Sequence, residues 1–299
     1  MTRPDVHALL GYLAGQDSIE TQTPQQARDG LAASVPLADL PAPAIAVERA
    51  LTIPTRSGGI PGLLLDPRTD RGPGPVLVWF HGGGFVTGGP HTHRSFAIAL
   101  AHRLDLPVVL PGYRLAPEHP YPAAVEDAED TARWAAALPG TGTLVLGGDS
   151  AGGTLAIVTA MALRGDVPVA AHLVIYPATD LTRPYPSHAE FATGRLLTEA
   201  GRRWYYTHYR PDAASWRASP LIGDLAGLPP AVILTAGEDP VRDEGRAYAA
   251  ALVTAGVDTV YLEAAGVIHA FVLLRRAIPS IQADLERAFT ALEQLLARS

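Results

Sequence analysis

Residues 147–153 read GGDSAGG, directly after the apolar run TLVL at 143–146 and running into the helical stretch AGGTLAIVTAMALRG at 151–165. Strand, turn and helix in that succession, with G-x-S-x-G at 148–152, put Ser150 on the turn. Such a turn is sharp and strained, and it lifts the serine hydroxyl clear of the sheet. Its glycines let neighbouring backbone pass where a Cβ would collide. The turn also sets the Ala151 N–H at a helix N-terminus, where developing negative charge is favoured. A glycine-rich turn before a helix can instead cradle phosphate. Here G-x-G-x-x-G is absent and Asp149 would repel a phosphate, so Ser150 is read as a nucleophile.

The same alternation extends outward in both directions. From Pro75, apolar strand-like runs (PVLVWF, PVVL, TLVL, AHLVIYP, AVILTAG, TVYLEA) alternate with helical ones (SFAIALAHRL, AAVEDAEDTARWAAAL, VRDEGRAYAAALVTAG, SIQADLERAFTALEQLLARS). β-branched runs between amphipathic helices predict an α/β fold, a buried parallel sheet covered on both faces. Ser95 is the predicted N-cap of the first of these helices. Ahead of them, AVERALTIP and GIPGLLLDP flank Gly58 and Gly59 and read as an antiparallel hairpin. Two segments fall outside the alternation. Residues 1–45 mix short helical patterns with prolines at Pro24, Pro36, Pro41 and Pro43. Residues 178–223, between a strand and its successor, are rich in arginine and aromatics, including Tyr185, Phe191, Trp204, Tyr205, Tyr206, Tyr209 and Trp216. A connection that long is usually functional, such as a lid.

Composition removes whole classes of chemistry. The 299 residues include no cysteine and no lysine; all 23 basic residues are arginine. A cysteine nucleophile, a thiolate metal site, a P-loop lysine, a Schiff base and a Ser-Lys dyad are therefore excluded. With 47% hydrophobic residues and a net charge of −7, the chain can bury a large core and shows no basic stripe for nucleic acid. No stretch is long enough to span a bilayer. The N-terminus makes a poor signal peptide, so a cytoplasmic location is expected.

A second glycine cluster, HGGGF at 81–85, ends the strand PVLVWF. Its bare backbone N–H groups are the kind of donors an acyl-transfer oxyanion requires. HGGGF, YRLAPEHPYPAA at 113–124, GDSAGG at 148–153, EDPVRDEG at 238–245 and GVIHAF at 266–271 occur in this order. Together they resemble the hormone-sensitive-lipase-like carboxylesterases of the α/β-hydrolase fold. The resemblance runs from about Pro75 to the end; residues 1–45 match only loosely. Ala270 departs from it, because the family usually carries glycine after the histidine.

The resemblance implies an α/β-hydrolase fold: a catalytic domain over 46–299 and a helical cap made from residues 1–45 and an insertion at about 178–223. In that fold the triad runs Ser, then Asp or Glu, then His, which leaves His269 as the base of Ser150. Asp239, Glu238 and Asp243 compete as its acid. The strand-end position and the resemblance both favour Asp239, although Asp before Pro240 is also a sound helix N-cap. Gly83, Gly84 and Ala151 are the implied oxyanion donors. His81 is expected to hold the oxyanion loop, and Glu118 and Asp149 are expected to be supporting buried carboxylates, with Arg114 nearby in sequence. Phe85, Trp204, Tyr205 and Tyr209 are candidates for the substrate pocket or for cap core. His91 and His93, with no third ligand near them, read as solvated loop residues rather than a metal site.

The implied reaction is hydrolysis of short- to medium-chain acyl esters through an acyl-enzyme. No metal or other cofactor and no nucleic-acid or membrane partner is needed, and a homodimer is allowed. The same fold also serves amidases and arylformamidases, and relatives that act as ligand receptors or lyases. His269 argues against a pure receptor, since the plant gibberellin receptor lacks that histidine.

Overall fold

A computed structural model describes residues 1–298. Two short helices, α1 (Pro4–Leu13) and α2 (Pro24–Ala38), precede the hairpin β1 (Val47–Thr55) and β2 (Gly58–Asp66). Then come β3 (Gly74–Phe80), α3 (Pro90–Leu104), β4 (Val108–Pro111), α4 (Ala123–Ala136), β5 (Thr141–Asp149), α5 (Ala151–Leu163) and β6 (Val169–Ile175). The long connection carries α6 (Pro186–Glu190) and α7 (Glu199–Tyr209). β7 (Ala231–Glu238), α8 (Arg242–Thr254), β8 (Thr259–Ile268) and α9 (Gln282–Leu296) complete the chain. The eight strands form one sheet in the order β1-β2-β4-β3-β5-β6-β7-β8. β2 is antiparallel to both of its neighbours, and the remaining pairs are parallel.

The period of two along each strand builds a core on both faces. Leu77 and Trp79, Val145, Leu173 and Ile175, and Val232 and Leu234 face the side covered by α3 and α9. Val76, Val78 and Phe80, Leu144 and Leu146, Val174, and Ala231 and Ile233 face α4, α5 and α8. Each such Val, Leu, Ile or Phe contributes about 1.5–3 kcal/mol by leaving water, which is why these runs read as continuously apolar. Val6 of α1 and Val35 of α2 join the first cluster, so residues 1–45 are packed onto the domain.

Two boundaries differ from the sequence reading. α3 begins at Pro90 after Gly89, five residues before the predicted cap at Ser95; Ser95 Oγ instead donates to Leu40 O at 2.7 Å. The signal for the earlier start is proline at the first helical position. β8 runs on past the strand-like stretch TVYLEA to Ile268, so His269 follows its strand directly.

The chain order places the site. From β3 the chain crosses to β4 on one side, then returns past β3 to β5 on the other. β3 and β5 are adjacent and parallel, with Trp79 opposite Gly147 and Phe80 opposite Gly148. At such a reversal the loops leaving the two carboxyl ends part, and the crevice between them is where open α/β sheets bind ligands. HGGGF leaves β3 there, and Ser150 leaves β5.

Candidate active site

Ser150 joins β5 to α5 with φ 54° and ψ −122°, a backbone region foreign to L-residues. The elbow depends on Gly152, where a Cβ would lie 1.9 Å from Phe80 O. Ser150 Oγ lies 2.8 Å from His269 Nε2, and His269 Nδ1 lies 2.6 Å from Asp239 Oδ2. With Nδ1–H donating to the carboxylate, Nε2 is left to accept from the serine. Asp239 is fully buried at the end of β7, and its Oδ1 accepts from Val241 N at 3.0 Å. One oxygen therefore holds the turn into α8 while the other holds the imidazole.

The rival acids are occupied elsewhere. Glu238 accepts from Thr2 Oγ1 at 2.8 and 2.9 Å and pairs with Arg195. Asp243 accepts from Ser187 N and pairs with Arg242 and Arg246. Ala270, next to the histidine, sits in the left-handed region at φ 65°. The consequence of alanine there is thus conformational, about 1–2 kcal/mol relative to the right-handed form.

Asp149 ties the two glycine clusters together. Gly82 N donates to its Oδ1 at 3.1 Å, and His93 Nε2 lies 3.2 and 3.3 Å from its two oxygens. His93 is fully buried, with Nδ1 2.9 Å from Thr92 Oγ1. It is therefore not the solvated loop residue read from sequence, whereas His91 is exposed. His81 stacks on Tyr113 with ring centroids 4.1 Å apart, and its Nδ1 lies 2.8 Å from Gly82 O. Burial pushes His81 down to about 3, so the ring is neutral.

Glu118 is not buried, nor does it meet Arg114, which pairs with Asp127. Its half-exposed carboxylate accepts both Nη groups of Arg28 from α2, at 2.8 and 2.6 Å, and that guanidinium holds it down to about 2. Sequence reasoning misread His93 and passed over Arg28 and Tyr176, the ring of the latter lying 4.4 Å from that of His269. Among the described residues, no group of three or more His, Asp or Glu side chains is placed to hold a metal ion.

Gly83 and Gly84 have φ 119° and 59°, and among the described residues neither N–H is taken by another backbone group. The Ala151 N–H opens α5, among the four that a helix leaves unpaired. Tyr205 of α7 lies against Gly84, where a Cβ would come within 2.2 Å of its ring. Trp204 packs edge-on to Tyr205 and donates from Nε1 to Gln22 O at 3.1 Å, joining α7 to the N-terminal segment. Tyr209 is buried and stacks on Phe85 at 3.9 Å, so this pair is packing between α7 and the loop. A cavity of about 670 Å³ beside α7 is lined by Asp180, Arg183, His188, Arg202, Tyr206 and Arg210 among others; Ser150 does not line it.

The sequence profile of a family described as alpha/beta hydrolase fold matches residues 77–273. The chain belongs to the α/β-hydrolase-fold family. Within it, this α/β-hydrolase falls in the hormone-sensitive-lipase-like group of carboxylesterases. It is 39% identical over 282 residues to the carboxylic ester hydrolase LipN of Mycobacterium tuberculosis, covering 87% of this chain and 73% of that protein. It is 36% identical over 261 residues to an ethyl acetate hydrolase of Pseudomonas putida, covering 82% of each. Among solved structures, the Pyrobaculum calidifontis esterase superposes with a TM-score of 0.91 at 35% identity over 99% of both chains. An ester-hydrolase from the metagenome of Lake Arreo, complexed with a bipyridine phosphonate derivative, superposes at 0.92 and 34% identity, covering 98% of this chain and 99% of that one. The α/β-hydrolase described here is a carboxylic ester hydrolase.

Proposed function

We propose that this hydrolase cleaves short- to medium-chain acyl esters with Ser150 as nucleophile, His269 as base and Asp239 as its orienting acid. One observation carries the reading: the unbroken chain from Ser150 Oγ through His269 to Asp239, with links of 2.8 and 2.6 Å. His269 takes the serine proton as Oγ bonds to the ester carbonyl carbon. The carbonyl oxygen becomes an oxyanion facing the N–H groups of Gly83, Gly84 and Ala151. Asp239 stabilises the imidazolium without taking its proton. The C–O bond to the alcohol breaks, and the alcohol leaves with the proton from His269. Water then attacks the acyl-serine by the same path, giving the acid and free Ser150.

Residues 1–45 and the 178–223 insertion form the cap over this pocket. Supporting that reading, Trp204 bonds to the N-terminal segment and Tyr205 covers Gly84. A covered pocket has finite length. Each added methylene gains about 0.8 kcal/mol while it finds room, then nothing or a clash. The name of the Pseudomonas putida relative, for a two-carbon acyl ester, points the same way.

The test is kcat/KM along p-nitrophenyl esters from acetate to palmitate, with organophosphate labelling alongside. The expected curve peaks at a short to medium chain, and the label falls on the peptide containing Ser150. A label on a different serine, or a rate still climbing at palmitate, refutes the reading.

A further inference from the structure

We infer that Arg28 is a positioning residue for the oxyanion site: its guanidinium is the charged outer end of a relay of peptide groups that terminates at the Gly84 N–H. The inference rests on the roles proposed above for Ser150 and the glycine loop. Arg28 Nε donates to Val86 O at 2.8 Å. The N–H of that same peptide, on Thr87, donates to Gly83 O at 2.8 Å. Gly83 C=O and Gly84 N–H are two ends of one peptide group. A positive charge drawing on Val86 O makes Thr87 N–H a stronger donor, which in turn polarises Gly83 C=O and strengthens Gly84 N–H. Hydrogen bonds in such chains reinforce one another by about 10–30% each.

A second arm fixes the geometry. Arg28 Nη2 donates to Ala116 O at 2.8 Å, and Ala116 N donates to Phe85 O at 2.8 Å. The Phe85–Val86 peptide then donates Val86 N to Gly83 O at 3.0 Å. Thr87 Oγ1 adds a third donor to Gly83 O at 3.1 Å. Only arginine's planar fork can serve two carbonyls and the Glu118 carboxylate at once. Arg28 sits on α2, far from the loop in sequence, so the N-terminal segment sets the donor strength of the site it helps cover.

The experiment uses the full chain with Arg28→Met, which keeps the stem but loses charge and donors, and Arg28→Lys, which keeps the charge but not the fork. An aryl trifluoromethyl ketone is the probe, because Ser150 adds to it to give a tetrahedral oxyanion. Removing an oxyanion donor outright costs about 10²–10³-fold in kcat. Weakening one should cost about tenfold in kcat and in ketone affinity together, with KM for p-nitrophenyl acetate unchanged within about twofold; Arg28→Lys should fall between. Wild-type ketone affinity in Arg28→Met, or a loss confined to KM, overturns the inference and makes Arg28 a cap anchor only. If Arg28→Met does not fold by circular dichroism, wild-type ketone affinity in Arg28→Lys overturns it equally. Ser150→Ala runs in parallel: if it retains turnover, the site reading has failed, and if it is inert while Arg28→Met is unaffected, only this inference has.

Discussion

Ser150 holds φ 54° and ψ −122°, and the two variants Ser150→Ala and Ser150→Gly separate what that conformation costs from what the hydroxyl does. Both variants lose the Oγ bond to His269 Nε2, and both keep the backbone bonds Ser150 N to Ile175 O and Thr154 N to Ser150 O. Both are therefore inactive. They differ in the Cβ. A non-glycine residue held in so sparse a region stores about 1–3 kcal/mol. Glycine relieves this but orders a freer chain on folding, at about 0.5–1 kcal/mol. Ser150→Gly should thus be more stable than Ser150→Ala by about 1 kcal/mol, within a range of about 0–2.5. For a chain this long that is about 2 °C in Tm. Urea unfolding at constant m-value, or calorimetry, measures it directly. If Ser150→Ala is instead more stable than Ser150→Gly by about 0.5–1 kcal/mol, only the glycine cost is present, the elbow stores no strain and its shape has another cause.

Ser150→Ala and His269→Ala should each reduce turnover by about 10³-fold or more, and the double variant should be barely worse, because the groups act as a unit. Asp239→Asn should lose about 10²–10⁴-fold, whereas Asp243→Asn should be spared, its carboxylate being bound to Ser187 and two arginines; kcat/KM on p-nitrophenyl acetate decides between them. Stability should fall as pH drops from 6.5 toward 5, because burial pushes His81 to about 3 and His172 to about 4. The unfolded chain binds protons there that these folded rings refuse, at up to about 1.4 kcal/mol per pH unit for each ring. The Arg28–Glu118 pair is unchanged in that window: with Glu118 held to about 2, its contribution is complete above about 4.5 and is lost only below. Urea midpoints of wild type and His172→Gln should therefore converge as the pH falls to 5, and parallel pH profiles would refute the assignment.

How much was legible depended on whether a residue's role is local. The glycines of GGDSAGG and HGGGF are read from sequence because their neighbours along the chain create the need: a Cβ at Gly148 would lie 2.2 Å from Gly152 O, and one at Gly83 would lie 2.2 Å from Thr87 O. The strands are legible because both faces are buried. Asp239 was only partly legible. Three carboxylates lie within six residues, and what separates them is where Glu238 and Asp243 find Thr2, Arg195 and Ser187, none of which is near in sequence. His93 was misread because HTHR is polar, although GGP before it announced a helix. Its partner, Asp149, lies far off in sequence at the end of β5.

Least legible in sequence is how residues 1–45, which match the family only loosely, are attached. In the structure this segment is fastened at three places by arginine: Arg3 with Asp284, Arg28 with Glu118, and Asp39 with Arg275. Nothing near these residues in the chain announces their partners. That all the basic residues are arginine bears on this attachment. An ammonium carries one charge to one place, whereas a guanidinium presents five donors in a fixed plane. Arg28 reaches two carbonyls and a carboxylate, and Arg275 reaches Asp39 and Ser95 Oγ. The Asp39–Arg275 pair is almost wholly buried, so removing either partner leaves a desolvated charge at about 3–5 kcal/mol. That penalty fixes the end of α2 against the loop after His269, while Arg28 fixes its middle against the loop carrying Gly84. The segment proposed to cover the pocket is thus held on both sides of the proposed chemistry by groups whose geometry tolerates little displacement.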